Sequence, residues 1–381
     1  MRPVLGGKIS VPARCPPQGP SIDCPSDSPP PAATAVRREG EFRLRHTKGL
    51  VHMEMTPREN MMAILEGRQP AYYADFQSSV KIIMDPIWKS DSVPEDGLEH
   101  KDSWGTVCVR AVGSPGKHPH VTPENAVVKD IEDWKSQLVI PSYKDMDWTD
   151  AEAQVAAVDR SQNFVEYFCA QGLFERSHFL MGMEDAFCAY LEEPEAMMEM
   201  LTAIAEYKKA IIKEAAFHLH PDVIFFQDDW GSKQNLFLPP DTWREMIKPL
   251  QTEIAQVIHE CGMIYVHHSD CFCEPIAQDM VDIGIDIWQG VIPENDIVAI
   301  QERTGGKLAM IGGIDGPAID ADETTEDAIK AEVHRCIDTY CPGGRFFPGA
   351  PAPLLRKRNN DLMNAELLAY GTEWAAAHPV A

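Results

Sequence analysis

The sequence lacks long apolar runs, an excess of basic residues and a high density of cysteines. No stretch approaches the ~20 consecutive apolar residues of a membrane-spanning helix, and the first residues include no apolar core of a signal peptide. With 34 Lys and Arg against 59 Asp and Glu, the formal charge is −25, which repels phosphate backbones and anionic lipids. Ten cysteines in 381 residues are too sparse for a disulfide scaffold. We therefore expect a soluble, cytoplasmic protein with free thiols that binds neither nucleic acid nor membranes.

The N-terminal segment differs in composition from the rest of the chain. Residues 1–52 contain nine prolines within the first 31 positions, eight Lys or Arg and only four Asp or Glu. Because such a segment buries too little apolar surface to offset its chain entropy, we expect a disordered Pro-rich tail or an artefact of an upstream start codon. The folded domain is predicted to span residues 53–381. Its first helix is marked by a capping box, Thr-Pro-Arg-Glu at residues 56–59, with Pro57 at the first helical position.

Short apolar runs alternate with longer amphipathic stretches from about residue 160 onward. The predicted strands are residues 165–170, 179–183, 223–227, 263–268, 285–291, 308–312 and 345–348, and the clearest helices are residues 194–218, 240–261 and 325–340. This alternation predicts parallel strands joined by right-handed crossovers. Because several strands end in polar clusters, we expect a TIM (β/α)8 barrel with long loop insertions, whose first strand lies within residues 71–160. A doubly wound sheet is the alternative, but no Gly-x-Gly-x-x-Gly follows a strand.

The densest cluster of chemically active side chains is at residues 267–274, His-His-Ser-Asp-Cys-Phe-Cys-Glu. Side chains alternate between the faces of a strand, so His268 and Asp270 share one face and converge at the strand's end. We predict that both are catalytic, as an acid–base pair or as ligands of a divalent metal. Zinc requires at least three protein ligands, and Cys271, just past the strand, is the third candidate. The alternative is a histidine hydrogen-bonded to its neighbouring aspartate without a metal.

A second polar cluster, Gln-Asp-Asp-Trp-Gly at residues 227–231, closes another predicted strand. Only one of Asp228 and Asp229 can face the barrel, and both are predicted as catalytic or substrate-binding carboxylates, with a helix or loop cap as the alternative. A capping role is equally open for Glu184, and a buried loop anchor for Trp104. The predicted substrate-binding residues are Trp104, Glu184, Trp230 and Gln289.

The ordered set of motifs resembles the uroporphyrinogen decarboxylase superfamily over about residues 55–365. The resemblance rests on Thr-Pro-Arg-Glu-Asn at 56–60, Asp-Ser-Trp-Gly at 102–105, Gln-Asp-Asp-Trp-Gly at 227–231, His-Ser-Asp at 268–270, Ile-Asp-Ile-Trp-Gln at 285–289, Gly-Gly-Ile-Asp at 312–315 and Gly-Gly-Arg-Phe at 343–346. That superfamily contains TIM barrels of two kinds, decarboxylases of tetrapyrroles and methyltransferases that use a corrinoid. The Arg-rich N-terminal motif of the decarboxylases is missing, because residues 68–73 read Arg-Gln-Pro-Ala-Tyr-Tyr. The methyltransferase branch is therefore the better match.

The resemblance also implies partners and cofactors. Thiol-directed methyltransferases of this branch hold zinc with a His-x-Cys and a later Cys, whereas this chain has His268-Ser269-Asp270 and, at 347–350, Phe-Pro-Gly-Ala. The chain thus resembles the first methyltransferase of an anaerobic O-demethylase, which moves a methyl group from a methoxylated substrate, such as an aryl methyl ether, to a corrinoid. The implied cofactor is a corrinoid (cobalamin) on a small partner protein, and a second methyltransferase would pass the methyl group to tetrahydrofolate. Zinc at His268, Asp270 and Cys271 is a second candidate cofactor, which the residues themselves leave open.

Two other functions remain open from the sequence. One is a uroporphyrinogen decarboxylase whose carboxylate-binding residues have diverged. The other is a non-catalytic barrel that only binds a small molecule or a corrinoid partner.

Overall fold

The computed structural model describes residues 55–114, 116–144 and 146–380, so the predicted tail over residues 1–52 lies outside the described residues. The described chain has an α/β fold in which strands alternate with helices. In chain order the strands are β1 (Val80–Met84), β2 (Glu99–Lys101), β3 (Val107–Val109), β4 (His118–Pro119), β5 (Phe164–Cys169), β6 (Val223–Gln227), β7 (Ile264–His268), β8 (Ile287–Val291), β9 (Ala309–Gly313) and β10 (Phe346–Gly349).

Seven strands form one parallel sheet in the order β1-β5-β6-β7-β8-β9-β10, so consecutive strands of this sheet are neighbours. The other three, β2, β3 and β4, form a small antiparallel sheet within the insertion that follows β1. The predicted parallel α/β fold is confirmed, with the first strand inside residues 71–160 as expected. Over the described ranges, no strand pairing joins β1 to β10, although the rings of Phe76, just before β1, and Phe347, in β10, lie 5.4 Å apart. The sheet is therefore curved, and its two edges approach each other.

Helices connect the strands of the parallel sheet. They are α1 (Pro57–Leu65), α2 (Pro86–Ser90), α3 (Trp134–Gln137), α4 (Thr149–Ala156), α5 (Leu173–Met181), α6 (Met183–Glu192), α7 (Pro194–Leu219), α8 (Pro240–Met246), α9 (Lys248–Glu260), α10 (Ala277–Ile283), α11 (Ile297–Thr304), α12 (Gly316–Ile319), α13 (Glu326–Tyr340) and α14 (Lys357–Ala377). The capping box that predicted α1 is present, because Thr56 Oγ1 accepts from the Glu59 backbone and Glu59 Oε2 accepts from the Thr56 backbone. In the described part of the chain, none of these helices combines the length and apolar character needed to cross a membrane.

Two segments differ from the expected elements. The strand predicted at residues 179–183 is the end of α5, followed by a turn at Gly182 with φ 88° that leads into α6. A short apolar run does not distinguish a buried strand from a buried helix, and Phe179 to Met181 are buried here within a helix. The helix predicted at residues 240–261 is divided at Ile247 into α8 and α9. Pro249, in the first turn of α9, lacks the N–H that a continuous helix would require.

The parallel sheet has two chemically different faces. One face packs against helices, where Lys208 of α7 lies over the ring of Phe226 and Gln251 of α9 donates to the hydroxyl of Tyr265. Strand side chains alternate, so Phe168, Phe225 and His268 point to the opposite face, which we call the inner face. The candidate site lies at the C-terminal ends of the strands on this inner face.

Candidate functional site

His268 is the last residue of β7, and neighbouring side chains fix its ring. Its Nδ1 forms a hydrogen bond with Oε1 of Gln289 from the adjacent strand β8, and its ring stacks on Phe225 with centroids 5.3 Å apart. Because the amide oxygen accepts, Nδ1 is the donor of this bond, and Nε2 is the ring nitrogen that it leaves free. Nε2 lies 3.8 Å from Oδ1 of Asp229, and the His268 side chain is 14% exposed. His268 and Gln289, both predicted site residues, therefore form one unit.

Asp229, Asp270 and Cys271 meet next to His268. Their candidate ligand atoms all lie within 4.8 Å of one another, and the Asp270 backbone N–H donates to Oδ1 of Asp229 over 3.1 Å. Burial raises the pKa of Asp270, and the neighbouring Asp229 charge raises it further, while His268 lowers it. Asp270 is thus a carboxyl with a raised proton affinity held next to a second carboxyl. The sequence placed His268, Asp270 and Asp229 in one site, and the structure brings them together.

Asp228 has a different role from the catalytic one predicted for it. Its carboxylate is fully buried and accepts from the backbone N–H groups of Phe174 and Glu175, at 3.1 and 2.8 Å, and from Nε1 of Trp230 at 3.0 Å. Phe174 and Glu175 are the second and third residues of α5, whose N-cap, Gly172, has no side chain to accept these donors. Asp228 therefore caps α5 from the end of β6, which is the alternative noted from the sequence. Asp229 is the member of the pair that reaches the site.

Three other predicted substrate-binding residues lie away from this cluster or have no free surface. Trp230 is 1% exposed and stacks on His267 with centroids 3.9 Å apart. Trp104 is 4% exposed and packs edge-to-face on Tyr207 beneath the guanidinium of Arg176, as a buried loop anchor does. Glu184 is exposed in the first turn of α6, because the apolar run before it is a helix rather than a strand.

Glu175 is a site residue that the sequence did not reveal. It is the third residue of α5, is 7% exposed, and its Oε1 lies 3.4 Å from Nε2 of Gln227 at the end of β6. Within the described chain, its Oε2 is buried without a hydrogen-bond partner. Burial, followed by the charges of Asp229 and Asp228, raises the pKa of Glu175 well above its usual range. The sequence shows an acidic residue directly after the apolar pair Leu173-Phe174, but nothing in the sequence placed it beside β6.

A row of aromatic side chains connects the site with a cavity. The cavity has a volume of about 950 Å³ and opens at the C-terminal end of β1, where Trp88 forms part of its wall. Trp88 packs edge-to-face on Phe168 at 4.9 Å, Phe168 stacks on Phe225 at 5.5 Å, and Phe225 stacks on His268. A row of packed aromatic rings therefore links the cavity wall at Trp88 to His268.

This fold also occurs in a solved methyltransferase. The structure of a methyltransferase from Methanosarcina mazei is similar with a TM-score of 0.56 and 14% sequence identity, over 84% of this chain and 99% of that chain. No protein-family model matches the sequence, and no curated protein matches it. At this level of identity, the likeness is one of fold.

The side chains present do not fit the zinc site predicted with His268, Asp270 and Cys271. Cys271 Sγ donates to the carbonyl of Gly231 at 2.7 Å, and burial and the charge of Asp229 raise the pKa of its thiol far above the usual range. His268 belongs to the Gln289 pair, and the third group that lies with Asp270 and Cys271 is the carboxylate of Asp229. His268 Nε2, 3.8 Å from Oδ1 of Asp229, is not part of this group, and without a thiolate the group keeps two carboxylates, fewer than the three protein ligands of a zinc site. The donor set suits proton chemistry better than zinc coordination.

Proposed function

We propose that this chain transfers a methyl group from a methoxylated small molecule, an aryl methyl ether, to the cobalt of a corrinoid that a partner protein carries. The observation that carries the proposal is the cluster of Asp229, Asp270 and His268 at the strand ends of a fold shared with a methyltransferase. In parallel α/β folds of this kind, catalytic residues lie at the C-terminal ends of strands. The ordered motifs of the uroporphyrinogen decarboxylase superfamily support the same branch of enzymes.

The reaction requires a proton at the departing oxygen. The reduced corrinoid is the methyl acceptor: its cobalt(I) gives the electron pair of the new cobalt–carbon bond and becomes formally cobalt(III). The C–O bond breaks with its electron pair on oxygen, and one proton converts the departing aryloxide to a phenol. A neutral carboxyl at the ether oxygen lowers this barrier by donating that proton as the bond breaks.

The residues of the site divide these tasks. Asp270, whose pKa is raised, donates to the donor oxygen, the His268 ring fixed by Gln289 and Phe225 lies beside it, and Asp229 keeps the Asp270 backbone in place through its N–H. The aromatic row of Trp88, Phe168 and Phe225 offers apolar edges to a planar donor. A thiol acceptor is disfavoured, because the set that would activate it as a zinc thiolate is missing.

The predicted TIM barrel and partners belong to this proposal. We infer that the curved sheet is the wall of a (β/α)8 barrel, since Phe76 and Phe347 bring its edges together. The corrinoid protein would dock over the strand ends, and a second methyltransferase would carry the methyl group onward to tetrahydrofolate.

The direct test is methyl transfer under anaerobic conditions. Purified protein is mixed with cob(I)alamin and a panel of methoxylated aromatics and methylamines, and methylcobalamin is followed by its visible spectrum. We expect methylcobalamin with aryl methyl ethers, and His268→Ala and Asp270→Ala to lower the rate by about 10²–10⁴-fold, the usual contribution of acid–base groups. Glu302→Gln, at an exposed position in α11, is the matched control and should keep the wild-type rate.

Two results would contradict the proposal. One is no methylcobalamin from any donor, with free cob(I)alamin or a corrinoid protein, when the protein is folded by circular dichroism. The other is full turnover by both the His268 and Asp270 variants, which would remove these residues from the mechanism.

A further inference from the structure

Glu175 is the carboxyl that the proposed mechanism has not yet used. Its backbone N–H is occupied by Asp228, but its side chain makes one long contact, from Oε1 to Gln227 Nε2 at 3.4 Å. Buried polar atoms in folded proteins nearly always have a partner. Within the described residues, Oε2 of Glu175 has none, so a hydrogen-bond partner is missing from its surroundings.

The contact with Gln227 places this carboxyl at the site. Gln227 is the last residue of β6, and its side chain lies on the inner face with that of Phe225. In the sheet register Gln227 is paired with His268, so the residue that the Glu175 carboxyl contacts is the strand neighbour of His268. Glu175 therefore reaches the C-terminal edge of the inner face from helix α5, whereas His268 and Asp270 reach it from β7.

The charges around Glu175 favour its neutral form. Asp229 and Asp228 both raise its pKa, after burial itself, and Arg176 opposes them less strongly because its guanidinium pairs with Asp102 at 2.9 Å. A protonated Glu175 carries an O–H that lacks an acceptor. An acceptor oxygen on a bound ligand would satisfy this donor, and the donation costs the protein no rearrangement of other hydrogen bonds.

We propose that Glu175 is the catalytic acid that delivers the proton to the departing oxygen of the methyl donor, while Asp270 positions that oxygen beside the His268 ring. This inference rests on the proposed methyl transfer. In the step, the methyl–oxygen bond breaks as the methyl group bonds to the cobalt(I) of the corrinoid acceptor. The Oε2 proton of Glu175 passes to the oxygen and leaves a carboxylate, which regains a proton from solvent after the phenol departs. Because neighbouring carboxylates raise the proton affinity of Glu175, this carboxyl can act as the acid while another carboxyl positions the substrate.

The test is a leaving-group series with Glu175→Gln. Aryl methyl ethers that carry electron-withdrawing substituents release phenols that need little help from an acid, whereas electron-rich ethers depend on it. We expect E175Q to lower kcat/KM by about 10²–10⁴-fold for electron-rich ethers and by less than about tenfold for the most electron-poor ether. The dependence of rate on phenol acidity should therefore be steeper in E175Q than in wild type, and E302Q should show the wild-type slope.

A readout independent of turnover is the infrared difference spectrum of wild type minus E175Q at neutral pH. We expect a protonated-carboxyl C=O band that E175Q lacks. If E175Q does not fold, Glu175→Asp is measured instead, and withdrawal of the carboxyl by one methylene should produce the same substrate-dependent loss at smaller size.

The outcomes separate the two proposals. Equal loss of rate for all ethers in E175Q, or no carboxyl band, would overturn the role of Glu175 while methyl transfer by wild type stands. Absence of methyl transfer in wild type would overturn the proposed function and this role with it.

Discussion

Glu166 is the most informative residue for a stability test. It lies in the middle of β5 on the inner face, two residues before Phe168, and its carboxyl is 0% exposed. Neither carboxyl oxygen has a hydrogen-bond partner among the described residues, and burial raises the pKa of Glu166 to about 8. A glutamate in this position is therefore protonated in the folded protein at neutral pH and ionised in the unfolded chain.

The expected magnitude follows from proton linkage. Between the ordinary pKa of 4.5 and the folded value of about 8, the folded protein holds a proton that the unfolded chain has released. The contribution of Glu166 to stability is fully present below the unfolded pKa and is lost as pH rises, by about 1.4 kcal/mol per pH unit. From pH 5.5 to 7.5 the loss amounts to about 2.7 kcal/mol. Glutamine has nearly the same shape and does not titrate, so Glu166→Gln should lack this loss.

The assay is urea unfolding of wild type, E166Q and E302Q at pH 5.5, 6.5 and 7.5. The difference in unfolding free energy between E166Q and wild type should grow by about 2.7 kcal/mol over this range, in favour of E166Q at the higher pH. E302Q, a substitution at an exposed glutamate, should show a constant difference. A difference between E166Q and wild type that stays constant within about 0.5 kcal/mol would refute the reasoning, because Glu166 would then be ionised or partnered in the folded protein.

Three further predictions concern the elements around the site. Asp228→Asn replaces one accepting oxygen with an amide that faces a donor, so urea unfolding should show a loss of about 1–3 kcal/mol, and an unchanged midpoint would disprove the cap. Gly172→Ala would place a Cβ 2.2 Å from Cβ of Asp228, and a loss of at least about 1–3 kcal/mol is expected from this overpacking; wild-type stability would show that α5 shifts freely. Cys271→Ser should retain methyl transfer within about tenfold, like the exposed control Cys188→Ser, and a chelator should not change the rate of the wild type. A chelator-induced loss of rate that added zinc restores in wild type but not in C271S would contradict the argument against a thiolate ligand.

Much of the architecture could be predicted because local signals agree with the fold. Six of the seven predicted strands coincide with strands of the parallel sheet, since each is a short apolar run bounded by polar residues. The capping box at Thr56 marks the start of α1, and both signals act over a few residues. The error at residues 179–183 has the same origin, because so short an apolar run fits the two-residue repeat of a strand and the 3.6-residue repeat of a helix equally well.

The convergence of His268 with Asp229 and Asp270 was predictable for a different reason. Parallel strands place their C-terminal ends at one edge, so polar residues that follow successive strands meet whatever the details of packing. The sequence by itself therefore determined the parallel sheet, its strand ends and the residues that gather there.

Only the tertiary structure decided which carboxyl does what. Asp228 and Asp229 are adjacent and chemically identical, and the first caps α5 only because the N-terminus of that helix packs against the end of β6. Glu175 enters the site through a contact with a residue 52 positions away, and its proton is retained because the fold removes water and places two other carboxylates nearby. Burial and proximity set these proton affinities, and both are properties of the packed chain rather than of any local stretch of sequence.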